Sequence, residues 1–314
     1  MAIAAYMLGA CGLDTGTFAP FGGVSQSGWE AGERRVIETA DGTLDPTYMA
    51  TGQLDPSLPI TTTDLGAVLA LNSSKFLFKG VAMSASNKLQ TYYRQLQNAD
   101  EPWADSASKH LKLEVLAGLL APRSFQAAQG SAASITLQPI PTWDGTNDAV
   151  TVTADQALPT LAAVDEEYTV GPVTLNAVAM DEEVQGIRCD PGIRPAVIHG
   201  GGREWARFAG IVARNTVFTI TSANAARLST FSTTGTALAN GTIYLRRLQH
   251  ADVPYPDAST VHVKITLYDV GTIRVPALSA GRNTPIQSSI IVDLGRPTGD
   301  PNEIMAVETG VAIT

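Results

Sequence analysis

The chain carries 314 residues, 44% of them hydrophobic but only 16% charged, with a net charge of −9. That length holds one large core or two ordinary ones, and the low charge leaves a neutral surface suited to contact with copies or partners. No basic run exceeds Arg34-Arg35 or Arg246-Arg247, which excludes a protein that grips nucleic acid by its phosphates, while an acidic surface tolerates DNA alongside without holding it.

The opening contains Leu8-Gly9-Ala10-Cys11, a run like a lipoprotein cleavage box. It lacks preceding basic residues and is short for an apolar leader plus cleavage site, so it reads as mature sequence. Cys11 and Cys189 are too few for a disulfide framework or a metal site and read as reduced thiols packed as small hydrophobes. No apolar run is long enough to cross a bilayer, so no membrane partner is expected. Residues 1–74 form a first block rich in Gly, Thr, Pro and Asp. Within it Asp45-Pro46, Asp55-Pro56 and Leu58-Pro59 favour turns and extended chain. The expectation is an extended arm with a short helix over 64–71.

A first β-rich unit is expected over 75–185. Residues 75–82 read as a strand. Leu89, Tyr92, Tyr93 and Leu96 fall on one helical face, which predicts a helix over 86–97. Leu111, Leu113 and Val115 alternate as in a strand, yet Leu111, Val115 and Leu119 also fit a helix, and periodicity leaves both open. Strands follow over 134–140 and 149–154, around the turn-rich 141–145. Residues 168–180 alternate again, with Gly171-Pro172 marking a kink or an edge.

A second β-rich unit is expected over 186–314. After a Gly200-Gly201-Gly202 turn come strands over 205–213 and 216–221, then a short helix over 222–231 with Ser222 as N-cap. Residues 242–248, 272–276 and 288–294 read as strands. Residues 261–268 alternate most cleanly: Val261, Val263, Ile265 and Leu267 on one face, His262, Lys264, Thr266 and Tyr268 toward solvent or a partner. The two units share an order of parts: 75–82 matches 216–221, Leu89–Tyr92 matches Leu228–Phe231, Ile135–Leu137 matches Ile243–Leu245, and Val150–Val152 matches Val261–Val263. Duplication and coincidence both give this order.

Chemistry is sparse. His110, His199, His250 and His262 lie at no metal-ligand spacing. Gly200-Gly201-Gly202-Arg203 lacks the glycine pattern and the Lys-Ser/Thr ending of phosphate loops. Gly23-Val24-Ser25-Gln26-Ser27 has Ser27 where a nucleophile elbow needs glycine. Asp165-Glu166-Glu167 and Asp181-Glu182-Glu183 are sequence neighbours beside turns, which suits solvated charge better than a glycosidase pair. Asp300-Pro301-Asn302-Glu303 reads as a turn rather than a calcium loop. No catalytic, cofactor-binding or metal residue is expected, and no enzyme.

The run Phe218-Thr219-Ile220-Thr221-Ser222 into Asn224-Ala225-Ala226-Arg227-Leu228, followed by the strand 242–248, the loop 249–258 and the strand 261–268, resembles bacteriophage tail-tube proteins. The likeness covers 205–295, with an echo at 75–155. It implies a virion protein assembled in the host cytoplasm, built of β-sandwich or barrel-type domains with short flanking helices. Copies would join into rings that stack as a tube, contact other virion proteins and let DNA pass without specific binding. Pro254, Tyr255 and Pro256, with the N-terminal arm, are the expected inter-subunit contacts. A chain this long also suits a capsid-decorating or tail-connecting protein, and a non-catalytic carbohydrate-binding sandwich is the alternative outside virions.

Overall fold

The computed structural model describes residues 5–38, 48–98, 101–160, 166–250, 253–268, 271–281, 284–295 and 304–314. Strand makes up 59% and helix 7%, a mainly β protein of β-sandwich type.

The first series of elements opens with β1 (Tyr6–Asp14), β2 (Phe18–Phe21) and β3 (Gln26–Ser27). The hairpin β4 (Glu33–Glu38) and β5 (Tyr48–Leu54) follows, then β6 (Ile60–Thr62), α1 (Leu65–Ser74) and α2 (Phe76–Lys79). Six strands close it: β7 (Val81–Met83), β8 (Lys88–Gln95), β9 (His110–Val115), β10 (Gly118–Ala128), β11 (Ser131–Pro141) and β12 (Val150–Gln156). The second series runs β13 (Tyr168–Leu175), β14 (Val178–Ala179), β15 (Val184–Asp190), then the hairpin β16 (Arg194–Ile198) and β17 (Phe208–Ala213). After β18 (Val217–Ser222) come α3 (Arg227–Phe231), β19 (Thr236–Ala237), β20 (Gly241–His250) and β21 (Val253–Pro254). The chain ends with β22 (His262–Leu267), β23 (Gly271–Gly281), β24 (Thr284–Leu294) and β25 (Met305–Val311).

The second series repeats the first strand for strand, except that the one helix α3 stands where the first has α1 and α2, and β21 stands where the first has the single bridge Leu96 to Pro102. One sheet orders β12-β9-β8-β1-β2, and its counterpart orders β25-β22-β20-β13-β14. The half-sheet β7-β10-β11-β6-β3 matches β19-β23-β24-β18-β15. The irregularities repeat as well. Gly9 and Gly171 sit at bulges where a Cβ would press on the carbonyl oxygens of Tyr92 and Tyr244. The Thr62 and Ser222 hydroxyls accept from the Asp64 and Asn224 amides, both at 3.1 Å, as the chain turns into α1 and α3. Gly32 and Gly192, at φ +62° and +57°, each accept from the residue closing their hairpin, Asp55 and Asn215, both at 3.2 Å. Duplication, left open by the sequence, is therefore the architecture. Its register differs from the expected one: β18 answers β6, not 75–82.

Several elements depart from expectation. The block 1–74 is no arm among its described residues, because β1 is a central strand between β8 and β2, and Cys11, Leu13, Phe21, Leu58 and Ile60 are buried. The boundary at 185/186 falls within β15, and the repeat starts again at β13. Residues 86–97 form β8 and not a helix. The Thr-Tyr-Tyr run prefers a pleated surface, and β1 and β9 supply its hydrogen bonds. Residues 76–79 are helical, so the strand expected over 75–82 shrinks to β7. Residues 111–115 resolve as strand. The helix over 64–71 forms with Asp64 accepting from the Ala67 amide, whereas Ser222 ends β18 and α3 starts at Arg227. The main core draws on the three larger sheets, with Leu13, Phe125, Leu137, Val173 and Ile265 among its members.

Candidate assembly interface

The two sandwiches are joined by main chain. β10 spends its first residues on β7 of its own unit, Leu120 opposite Val81, and its last on β15 of the other, from Phe125 opposite Cys189 to Ala128 opposite Gly186. This ladder makes the two half-sheets one ten-stranded sheet. Behind it β13 packs on β10, β11 and β15, and α1 lies against β25. Phe125 and Ala133 from the first unit and Tyr168 and Val307 from the second are all buried. Each large side chain removed from water there contributes about 1.5–3 kcal/mol. Tyr168 donates to Glu166 at 3.2 Å, and Arg247 pairs with Glu166 at 3.0 Å. Burial, then the Glu166 charge, pushes the Tyr168 phenol well up, so it stays a neutral donor. A groove of about 500 Å³ opens at the same junction, with Ser131, Thr169, Gly171, Glu182, Arg246 and Pro254 in its walls.

The expected contact residues sit on a pinned loop. Arg246 pairs with Asp257 at 3.0 Å through two nitrogens, Arg247 lies 5.7 Å over the Tyr255 ring, and the Tyr255 amide donates to the Arg247 carbonyl at 2.9 Å. His262 anchors the loop from below and is fully buried, contrary to its expected solvent-facing position. Its Nδ1 accepts from the Arg247 amide at 3.2 Å and its Nε2 faces the Pro256 carbonyl at 3.0 Å. An amide can only donate and a carbonyl can only accept, so the proton resides on Nε2. His110 repeats the arrangement, with the Gln95 amide on Nδ1 at 3.1 Å and the Ala104 carbonyl at Nε2 at 3.0 Å. Arg94 pairs with Asp105 as Arg246 does with Asp257. Both histidines thus hold loops. Pro254 and Pro256 are exposed and Tyr255 is half-buried. Of the loop over 250–258, residues 251–252 lie outside the described residues.

Each hairpin forms its own two-stranded sheet. Ile37 with Tyr48 on the first, and the equivalent Val197 with Phe208 on the second, are exposed. The turn of the second crosses onto the first unit. Arg203 and Arg207 each lie 4.8 Å over the Trp143 ring, the Leu54 amide donates to the Glu204 carbonyl at 2.9 Å, and His199 meets Asp55 at 3.1 Å. The glycine triplet therefore turns the chain, and Arg203 stacks on an aromatic ring.

Other sequence candidates do not converge. Cys11 and Cys189 are both buried; burial pushes the Cys11 thiol up to about 12 and raises Cys189 further from reactivity. Glu183 is held by Arg227 and Asn224, while Asp181 and Glu182 are exposed. Asp165 and the turn 300–303 lie outside the described residues. Among the described residues no cluster of His, Cys, Asp and Glu could hold a metal, and no helix is long and apolar enough to cross a membrane. What sequence reading missed was the pair of buried histidines and the register of the repeat. The signal was present in Tyr92, Arg94, Leu96, Pro102, Asp105, His110 and Lys112, which recur in order as Tyr244, Arg246, Leu248, Pro254, Asp257, His262 and Lys264.

No family model matches the chain, and no curated protein matches it.

Proposed function

We propose that the protein is a structural virion subunit of the tail-tube kind, whose copies join side by side and stack around a conduit for DNA. The observation that carries this reading is the β10–β15 ladder, through which two equivalent sandwiches share one sheet. A unit that extends its sheet into the next uses an exposed edge as a joint instead of shielding it. The hairpins supply a second kind of surface. Their apolar residues are exposed in both units alike, as suits contact with a neighbour above or below the row of units. Pro254 and the exposed Val253 stand at the junction groove and beside it, which supports a contact role for the segment Pro254-Tyr255-Pro256. A net charge of −9 suits a wall along which DNA slides without sticking.

Negative-stain microscopy of the purified protein tests the reading. Rings or tubes of uniform bore are the expected result. Particles that stay single at high concentration, or that assemble only by coating a capsid, would overturn it.

A further inference from the structure

The junction between the units is one-sided, and the repeat identifies what each outer end lacks. The second unit inserts β13, β15 and β25 into a socket that the first builds from α1, β10 and β11. The first unit has the same inserting face, formed by β1, the chain around β3, and β12. The second has the corresponding surface, formed by β23 and β24 with the five-residue α3 where the first has α1 and α2. Among the described residues neither has an occupant. Exposure records the vacancy. Tyr168 is 2% exposed at the junction, but its equivalent Tyr6 is 43% exposed; Val307 is 5% exposed and its equivalent Val152 57%. On the socket side Phe125 is 1% exposed against 42% for Leu278, and Ala133 is 0% against 46% for Ile286. The backbone agrees, because β10 pairs with β15 over its last residues while β23, among the described residues, pairs beyond β24 only with β19, near its start.

We propose that a second copy of this chain fills the vacant socket: its β1–β3–β12 face enters α3, β23 and β24, and residues 26–29 add antiparallel to residues 278–281. The inference specifies the lateral contact of the assembly proposed above and rests on that reading for its occupant. Every apolar residue stranded on one outer end then meets the stranded residues of the other, and the sheet continues from chain to chain. The contact joins two different surfaces, so it is head-to-tail and propagates until a ring closes or a filament grows.

The register is specific. Gln126 faces Arg188 inside the chain, so Ser279 of one copy faces Gly28 of the next. Ser279 is exposed, and a Cβ on Gly28 meets nothing within 4 Å, so neither substitution disturbs the fold. Antiparallel partners hold their Cβ atoms about 4.5–5.5 Å apart, within reach of a disulfide after slight adjustment or of a short bis-maleimide.

The experiment mixes full-length Gly28→Cys and Ser279→Cys chains under oxidation, and separately oxidises the double variant. The expected result is a covalent dimer from the mixture, little product from either variant alone, and a ladder of multimers from the double variant. Leu278→Asp, placed outside the core, should abolish the ladder, and a mixture of Leu278→Asp with Tyr6→Asp chains should stop at dimers, since each retains one working face. Absence of the mixed dimer, or equal cross-linking by one variant alone, would overturn the pairing. Tubes seen by microscopy without the cross-link would overturn the pairing and leave the tube reading standing. A ladder without rings or tubes would do the reverse.

Discussion

Replacing His262 with Leu should destabilise the second unit through two orphaned backbone groups. The ring is fully buried and holds the Arg247 amide and the Pro256 carbonyl at 3.2 and 3.0 Å. Leucine fills a similar volume, so the cavity contribution is small, but it can neither accept nor donate. Leaving a buried donor or acceptor without a partner costs about 1–3 kcal/mol each. The loop is near enough to solvent for water to recover part of this, so the expected loss is about 2–4 kcal/mol. For a unit of this size that lowers the melting temperature by roughly 5–15 °C. Urea titration at low protein concentration gives the free energy, and amide exchange at Arg247 and Tyr255 localises it. His110→Leu should cost the same within about 1 kcal/mol, because the Gln95 amide and Ala104 carbonyl stand in the same places. A loss below about 1 kcal/mol for either variant, or unchanged exchange at Arg247, would refute the anchoring role.

Gly32→Ala and Gly192→Ala should each unfold the base of their hairpin, since a Cβ would stand 2.0 Å from the Asp55 or Asn215 carbonyl oxygen at positive φ; proteolysis between the hairpin strands reports it. Burial pushes the Glu114 carboxyl up, but the hydrogen bonds and charges of Lys112 and Lys88 together outweigh it, so the group titrates below the ordinary glutamate value. The stability it provides is complete above that value and is lost as pH falls through the depressed one; Glu114→Gln should flatten the acid limb of the stability curve. Cys11 and Cys189 should resist a thiol reagent until urea opens the core, and rapid labelling of the native chain would contradict their burial.

Strand periodicity was legible at Val263, Ile265 and Leu267, where one face meets the core. It failed at β8, where Leu89, Tyr92, Tyr93 and Leu96 satisfy helical spacing by coincidence and neighbouring strands on both sides decide the outcome. It failed again over 1–74, where proline and glycine mark turns between short paired strands as readily as they mark an arm. The buried loop anchors were unreadable by alternation alone. His262 occupies a polar position in the pattern, and the chain returning over 253–261 covers it, with the Pro256 carbonyl on its ring.

The sequence by itself determined the class of the fold and the lack of any long basic run, and it carried in Tyr92–Lys112 recurring as Tyr244–Lys264 a signal of duplication that alternation did not expose. Tertiary structure alone decided that the two copies join through β10 and β15 and leave an inserting face at one end and a socket at the other. The reason is physical. Alternation reports that a side chain is covered but not by which strand, and equivalent positions of the two units differ in exposure where one has a neighbour and the other does not.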